Sequence, residues 1–318
     1  AVADDITVIR RGKVVGTDSP TDSEASLASQ MVGRPVLLRV DKEPARLRRG
    51  GVVLDDVTLL GAGGVPELDH VSCRVQRGEV LAGAGVQGNG QSELAEVILG
   101  LRTPDSGTIT LEGRDITRAN PRKSLHSGVG FVPEDRMTDG MVSSFSIADN
   151  LVLDQFNAPE FAWGPSRKLG AVARNARAKQ EEYDIRLTSI TDPISSLSGG
   201  NQQKVVVARE MSRDLTVLVA NQPTRGVDVG SIEFIHRRIV DVRDQGCAVL
   251  LISSELDEVV ALADRIAVMY RGRIVGIVPA DTERDVLGLM MAGVPQDEAV
   301  ATSHRGGAVD ARVGQEEQ

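Results

Sequence analysis

Runs of consecutive apolar residues alternate along the chain with segments in which apolar residues recur every three or four positions. Uninterrupted apolar runs are typical of strands buried on both faces of a parallel sheet, and they occur at Val80–Ala82, Leu215–Ala220 and Ala248–Ile252. Helical spacing follows the first two runs, with apolar sets at Leu94, Val97, Ile98 and Leu101, and at Ile232, Ile235, Ile239 and Val242. Strands that alternate with helices predict an α/β fold built on a parallel sheet.

Other parts of the chain depart from this alternation. From Gly51 onward the pattern predicts short strands at Val52–Leu54, Val57–Leu60 and His70–Val75. Apolar residues are sparser between about residues 137 and 196, where a charged helix is predicted at Ala171–Glu182. We interpret this stretch as a helical insert between two halves of the α/β core. Residues 35–50 form a predicted linker whose basic side chains we interpret as solvated, and residues 295–318 a polar flexible tail.

One segment near the start of the chain is repeated near its end. Residues 3–16 and 263–276 share the pattern of two short strands around an Arg-Gly turn, at an offset of 260 residues. At the same offset Met31 and Gly33 fall on Met291 and Gly293. Two matched segments with one ungapped offset indicate a duplicated domain. We therefore predict that residues 1–34 are the end of a first copy and that residues 51–294 are the whole second copy.

Composition narrows the class of protein. Of 318 residues 41% are hydrophobic and only 3% aromatic, with no aromatic before Phe131, so the core is predicted to be aliphatic. The formal charge of −9 argues against a general nucleic-acid binder. No apolar run is long enough to span a bilayer, and the first residues lack the basic region of a signal peptide. Cys73 and Cys247 fit reduced, buried thiols, and the four scattered His do not form a metal site with them.

Two glycine-rich stretches carry the candidate chemistry. Gly85–Ser92 lies between a predicted strand and a predicted helix, and it matches G-x-x-x-x-G-K-[ST] except that position 91 is Gln. Leu197-Ser198-Gly199-Gly200-Asn201-Gln202-Gln203-Lys204 opens another predicted helix. The start of a helix presents backbone N–H groups to an anion, and glycine lets a phosphate approach closely. The alternative interpretation of the first stretch is a tight turn that binds no ligand. The alternative for the second stretch is an ordinary loop before a helix.

The second stretch resembles the signature motif of the ABC ATPases. The elements of that family occur here in its usual order over about residues 51–278: phosphate loop, glutamine loop, signature, Walker B strand, D-loop and switch position. Val132-Pro133-Glu134-Asp135-Arg136 and Asn221–Gly230 resemble most the second ATPase half of two-domain ATP-binding proteins of bacterial nucleoside and sugar importers. Ser231–His236 is similar to the nucleoside branch. The resemblance implies a P-loop NTPase-like core, with a parallel sheet, an antiparallel β subdomain and a helical insert.

Most polar positions of the implied ATP site differ from those of a working ATPase. Gln91 replaces the phosphate-loop lysine and cannot offset negative charge, whereas Ser92 keeps a hydroxyl for Mg²⁺. The Walker B carboxylates fall on Asn221 and Gln222, so neither a base nor an anionic metal ligand remains there. The five departures are Gln91, Glu134 at the glutamine-loop position, Asn221, Gln222, and Ser254 at the position of the switch histidine. They predict a site, formed by Gly85, Gly88, Gly90, Gln91 and Ser92, that binds ATP and Mg²⁺ weakly and hydrolyses slowly. Ser254 has a simpler interpretation as a helix N-cap paired with Asp257.

The signature residues are intact. They are Leu197, Ser198, Gly199, Gly200 and Gln202, followed later by the D-loop residue Asp228. In this family two ATPase domains pack head to tail, and each signature caps the ATP held by the other domain. The resemblance therefore implies a partner ATPase domain, membrane permease subunits, a substrate-binding protein and a peripheral position at the cytoplasmic face of the membrane. Asp228 is predicted either to couple the two sites or merely to cap the helix that follows it.

Three other interpretations stay open at this stage. The chain could hydrolyse ATP at its own phosphate loop as an independent enzyme. It could be a non-transport ABC ATPase, although such proteins usually carry intact catalytic residues and long coiled-coil or basic insertions. It could also be a structural dimerisation module without nucleotide contact.

Overall fold

The computed structural model describes residues 3–10, 12–19, 21, 24–32 and 40–302. Its strands are β1 (Ile6–Arg10), β2 (Lys13–Asp18), β3 (Arg48–Leu60), β4 (Pro66–Arg77), β5 (Val80–Ala84), β6 (Ser106–Leu111), β7 (Arg114–Asp115), β8 (Val129–Val132), β9 (Ala162–Trp163), β10 (Ser166–Arg167), β11 (Val217–Asn221), β12 (Ala248–Ser253), β13 (Arg265–Tyr270) and β14 (Arg273–Pro279). Its helices are α1 (Glu24–Val32), α2 (Gln91–Leu99), α3 (Pro121–His126), α4 (Ile147–Asn150), α5 (Leu169–Glu182), α6 (Gly199–Met211), α7 (Val229–Asp244), α8 (Leu256–Leu262) and α9 (Arg284–Met291).

The chain divides into two compact units. The first consists of Ala1–Glu43, Asp135–Arg209 and Thr224–Val240, and the second of Pro44–Glu134, Glu210–Pro223 and Asp241–Gln318. The second unit thus contains most of the predicted core, and the first contains the predicted insert together with the N-terminal segment.

The second unit is built on two sheets. A six-stranded sheet has the order β14-β13-β5-β12-β11-β8, and its neighbours run parallel except for the antiparallel pair β13–β14. A four-stranded antiparallel sheet has the order β4-β3-β6-β7. Side chains from both sheets and from α2, among them Leu54, Leu68, Ile98, Val219 and Leu250, form one aliphatic core cluster. The predicted α/β fold is confirmed, and the central apolar runs are the buried strands β5, β11 and β12.

The long strand β3 differs from its prediction. Val52–Leu54 and Val57–Leu60 belong to a single strand, whose register shifts between Leu54 and Val57 where Asp56 adopts a φ of 54°. A bulge of this kind breaks the alternation of inward and outward side chains, so one strand looks like two in the sequence. The same strand begins at Arg48, and the last part of the predicted linker is therefore strand. Residues 40–47 carry no regular secondary structure, and residues 35–39 lie outside the described residues.

In the first unit the predicted insert is only partly helical. The charged helix is present as α5, but a π-helical turn occupies Arg136–Gly140. Strands β9 and β10 form a hairpin, with Trp163 in its first strand and Gly164 in its turn. Antiparallel pairing of Ser166 with Trp163 explains why the Gly-Pro dipeptide there marks a turn between strands rather than a break between helices.

The repeated segment folds as two hairpins with one register. Val8 pairs with Gly16 and Ile9 with Val14, and the register shifts between Val8 and Ile9. At the offset of 260 residues Val268 pairs with Gly276 and Met269 with Ile274, with the shift between Val268 and Met269. The helices α1 and α9 follow the hairpins at the same offset, beginning at Glu24 and Arg284. Arg11, Gly33 and Arg34, which also entered the sequence comparison, lie outside the described residues.

The end of the described chain differs from the expected flexible tail. Residues 296–302 are helical, and the side chain of Ala299 is buried. A buried alanine gives this polar segment an apolar contact that fixes its helix. Residues 303–318 of the predicted tail lie outside the described part of the chain. Among the described residues, none of the helices has the length and apolar character of a membrane span.

Candidate functional site

The phosphate loop, Gly85–Ser92, lies where a central strand meets a helix. Strand β5 lies between β13 and β12 in the six-stranded sheet, and α2 begins directly after the loop at Gln91. Gly90 has a φ of 104°, and a Cβ there would lie 2.9 Å from the carbonyl oxygen of Glu67. Only glycine fits this left-handed, closely packed position. The strand–loop–helix arrangement predicted from the sequence is thus present.

The side chain of Gln91 hydrogen-bonds to its own loop. Its Oε1 accepts the backbone N–H of Asn89 at 3.1 Å, and its Nε2 donates to the carbonyl oxygen of Val86 at 3.2 Å. The side chain is buried, and a Cβ on Gly85 would overlap its Nε2 atom. Successive backbone N–H groups in such a loop are what binds phosphate oxygens. In this chain a neutral carboxamide takes up one of those N–H groups and supplies no positive charge.

Glu134 lies beside the loop, as the resemblance implied. The Nε2 atom of Gln87 donates to its Oε1 at 3.1 Å, so a carboxylate is linked to the loop that would hold phosphate. Ser92 is half-buried in the first turn of α2, the position in which its hydroxyl could reach a metal ion. Gln87 was not recognised from the sequence, because the contact that gives it a role joins residues 47 positions apart.

The substituted Walker B and switch positions are neighbours at the ends of two adjacent strands. Asn221, the last residue of β11, pairs in register with Ile252 of β12 and is buried. Gln222 follows with a φ of 49°, and its Oε1 accepts a hydrogen bond from the Ser254 hydroxyl at 3.4 Å. All three side chains are neutral, and together with Ser92 they offer Mg²⁺ hydroxyl and amide oxygens but no carboxylate. Because Mg²⁺ sites in proteins are usually built on carboxylates, this donor set fits the ion poorly.

The prediction that Ser254 caps a helix is wrong. Helix α8 begins at Leu256 after the N-cap residue Glu255, which makes no side-chain cap. The Glu255 N–H is instead bound by the hydroxyl of Ser253, at 3.0 Å. Ser254 is therefore free to contact Gln222 across the strand ends. The capping pattern misleads here because the helix begins one residue later than the spacing suggests.

The signature stretch begins helix α6. Ser198 precedes the helix, its carbonyl oxygen accepts the Gln202 N–H at 2.9 Å, and its hydroxyl accepts from Asn201 Nδ2 at 2.9 Å. Gln202 is buried and donates through Nε2 to the Leu197 carbonyl oxygen at 3.1 Å. Ser198 itself is exposed and directly precedes the first turn of the helix, in which Gly199 is half-buried and Gly200 is buried. The first N–H groups of a helix lack partners within it, and this end can bind an anion.

Asp228 caps helix α7. Its Oδ1 accepts the Ser231 N–H at 3.0 Å, and its Oδ2 accepts the Ser231 hydroxyl at 2.8 Å. A Cβ on Gly200 would overlap both Asp228 Oδ2 and Ser231 Oγ, so the signature glycine and the cap are in direct contact. The capping interpretation thus describes the contacts of Asp228 in this chain, whereas its coupling role stays a prediction.

Comparison with known proteins finds similarity to ATP-binding components of transporters. The sequence profile of the family described as ABC transporter matches residues 68–225. The chain is 44% identical over 301 residues to the guanosine import ATP-binding protein NupO of Bacillus subtilis, covering 94% of this chain and 59% of that protein. It is 47% identical over 299 residues to the glucose import ATP-binding protein TsgD13 of Haloferax volcanii, covering 92% and 54%. The chain therefore spans a little over half the length of these curated relatives.

Solved structures share the fold. A nucleotide-free ATP-binding cassette from an ABC transporter superposes with a TM-score of 0.63 at 24% identity, covering 78% of this chain and 96% of that one. A dimeric bacterial ABC transporter cassette gives a TM-score of 0.62 at 18% identity, covering 73% and 100%. The predicted combination of a parallel sheet with an antiparallel β subdomain is thereby confirmed as that of an ATP-binding cassette.

Proposed function

We propose that the chain, which belongs to the ABC transporter family, is the second ATPase domain of an ATP-binding protein of a nucleoside or sugar importer, as its relatives' names suggest. In this role the domain contributes to the ATP-driven uptake of a small polar solute, a nucleoside or a sugar. Relatives named for guanosine, glucose and nucleoside import support this solute class. In this proposal the chain is peripheral to the cytoplasmic face of the membrane and is joined there by permease subunits and a substrate-binding protein.

The duplicated hairpin supports the position of this domain as the second of two. The hairpins β1–β2 and β13–β14 share strand register, bulge position and a following helix at one offset. Bulges are conserved within protein families, so a bulge that recurs at the same offset supports a duplication. Residues 1–34 are on this basis the end of a first ATPase domain, and the first domain is the partner that packs head to tail.

The observation that carries the proposal is the contrast between two helix starts. At α2, Gln91 bonds its own loop and brings no charge, and at the ends of β11 and β12 the hydrogen bond between Ser254 and Gln222 joins two neutral side chains. At α6, the helix start formed by Ser198, Gly199 and Gly200 is intact, and Ser198 is exposed. The ATP site of this chain therefore binds ATP and Mg²⁺ weakly and hydrolyses ATP slowly, while its signature completes the ATP site of the partner domain. There the backbone N–H groups of Gly199 and Gly200 face the γ-phosphate and Ser198 donates its hydroxyl.

Two measurements test this assignment. The purified chain should show no Mg²⁺-dependent ATP turnover above that of a Gln91→Ala control. Turnover clearly above that control would refute the degenerate site. In the complete two-domain protein, Ser198→Arg should abolish most of the ATP turnover because it fills the space that the partner's phosphate needs. Unchanged turnover in that variant would refute the role given to the signature.

A further inference from the structure

Arg136 joins the signature helix to the loop that leads to Asp228. Its Nη1 donates to the carbonyl oxygen of Arg225 at 3.0 Å, and its Nη2 donates to that of Gly226 at 3.5 Å. Its Nε donates to Gln202 Oε1 at 3.4 Å. One half-buried guanidinium thus bonds two consecutive carbonyls of the loop and a side chain of α6.

The contacts extend to the first residues of the signature. Gln202, held by Arg136 on one side, donates to the Leu197 carbonyl oxygen on the other. A Cβ added to Gly199 would lie 2.7 Å from Arg136 Nη2 and 3.3 Å from the Gly226 carbonyl oxygen. The guanidinium therefore lies against the helix start itself, and a Cβ at Gly199 would require it to move.

We propose that Arg136 is a positioning residue that fixes the signature start and the Asp228 loop as one rigid unit. This inference rests on the proposed function, because the unit acts on the ATP of the partner domain. Arg136 does not touch that ATP. It holds the N–H groups of Gly199 and Gly200 in the orientation that the γ-phosphate requires, while the same bonds fix the loop carrying Asp228. A displacement of the Asp228 loop at the domain interface then moves the signature start with it, because the two are held as one rigid unit.

Arginine suits this task because its planar fork can donate in three directions at once. Lysine would carry the same charge as a point on a flexible stem and could reach one carbonyl oxygen at a time. Gly226, one of the two bonded residues, has a φ of 67°, a backbone conformation that other residues rarely adopt. Charge alone therefore does not account for the arrangement.

Hydrogen–deuterium exchange on this chain tests the positioning role directly. In Arg136→Ala we expect exchange to accelerate about tenfold, equivalent to about 1.4 kcal/mol, in peptides covering residues 199–203 and 224–231 together. Arg136→Lys should restore less than half of the lost protection. Arg177→Ala is the matched control, since Arg177 lies exposed on α5 of the same unit, and it should leave both segments unchanged. Thermal unfolding of each variant verifies that the chain stays folded.

ATP turnover of the complete two-domain protein provides the second readout. Arg136→Ala should lower kcat about tenfold and change KM for ATP little, because the ATP is held by the partner's own loop and only its capping is lost. A variant that merely unfolds the domain would instead lose protection everywhere.

The outcomes separate the two claims. If the two segments exchange at the original rate, or if only one accelerates, Arg136 does not position them as a unit and the inference is overturned. Full protection in Arg136→Lys would overturn it too, because charge would then suffice. If both segments loosen in Arg136→Ala while turnover stays constant, the positioning stands but the proposed function, in which this signature acts on the partner's ATP, fails.

Discussion

Replacing Gly200 by alanine should destabilise the chain, although alanine is the better helix former. Gly200 is buried in the first turn of α6, and a Cβ there would overlap Asp228 Oδ2 and Ser231 Oγ. Those two atoms form one of the hydrogen bonds that cap α7. Overpacking costs about 1–3 kcal/mol, the lost cap costs about 1 kcal/mol, and the gain in helix propensity returns about 1 kcal/mol. We therefore expect a net loss of about 2 kcal/mol in the free energy of unfolding.

Gly288 provides the matched control for this substitution. It is an exposed glycine inside α9, and a Cβ added there would meet no atom within 4 Å. Gly288→Ala should therefore stabilise the chain by about 0.5–1 kcal/mol. Urea unfolding followed by circular dichroism compares the two variants, with equal m values required for the comparison.

A double variant tests the mechanism itself. Asp228→Ala alone should cost about 1 kcal/mol as a lost cap, but it also removes one atom with which the new methyl group collides. The Gly200→Ala/Asp228→Ala variant should therefore lose less stability than the sum of the single losses. If Gly200→Ala proved as stabilising as Gly288→Ala, or if the two losses simply added, the close packing of signature and cap described above would be refuted.

Three further outcomes follow from the structure. Gln91→Lys should tighten ATP binding to the isolated chain, measured by calorimetry, yet leave turnover at background, because a lysine restores a charge but no Walker B carboxylate; turnover rising with affinity would contradict this. Burial raises the pKa of Cys73 and of Cys247 to about 12, so neither thiol should react with iodoacetamide at pH 8 in the folded chain, whereas both should react in urea, as mass spectrometry would report. Burial opposes the charge of Asp149, but hydrogen bonds from a serine hydroxyl and from Arg167 still lower its pKa. Its contribution to stability is therefore full above the ordinary aspartate pKa of about 4, and it is lost as the pH falls through the lower folded pKa. Arg167→Ala should destabilise the chain at neutral pH and weaken the fall of the urea midpoint as the pH is lowered. An unchanged fall of the midpoint at acidic pH would refute this role of Arg167.

Features that depend on neighbouring residues could be predicted from the sequence. The buried strands β5, β11 and β12 were predicted from unbroken apolar runs, because a strand covered on both faces needs no polar side. The phosphate loop and the signature were predicted as helix starts, since glycine and small polar residues before a periodic apolar run mark such a junction wherever it occurs. The repeated hairpin was also found by pattern alone, and even its bulge recurs at the same offset.

The predictions that failed concern residues whose partners lie far away in the sequence or whose local geometry is irregular. The bulge at Asp56 made one strand look like two. Ser254 was assigned to a helix cap, whereas the helix begins after Glu255, whose N–H donates to the Ser253 hydroxyl. The insert contains a hairpin that its composition did not indicate. In each case the spacing of residue types was compatible with two backbone paths, and tertiary packing selected between them.

The sequence by itself determined which charged groups are absent from the proposed ATP site, because a lysine or carboxylate that the chain lacks at a position is absent there in any fold. Only the tertiary structure decided where the substituted side chains go. Gln91 hydrogen-bonds to its own loop, and Gln222 hydrogen-bonds to Ser254. Arg136 contacts the signature and also bonds the carbonyl oxygen of Arg225, which lies 89 residues after it in the sequence. A hydrogen bond requires its donor and acceptor to lie within a few ångströms of each other and roughly in line. Pairing across such separations is set by the sheet and helices that bring the groups together, and no local pattern of residues records it.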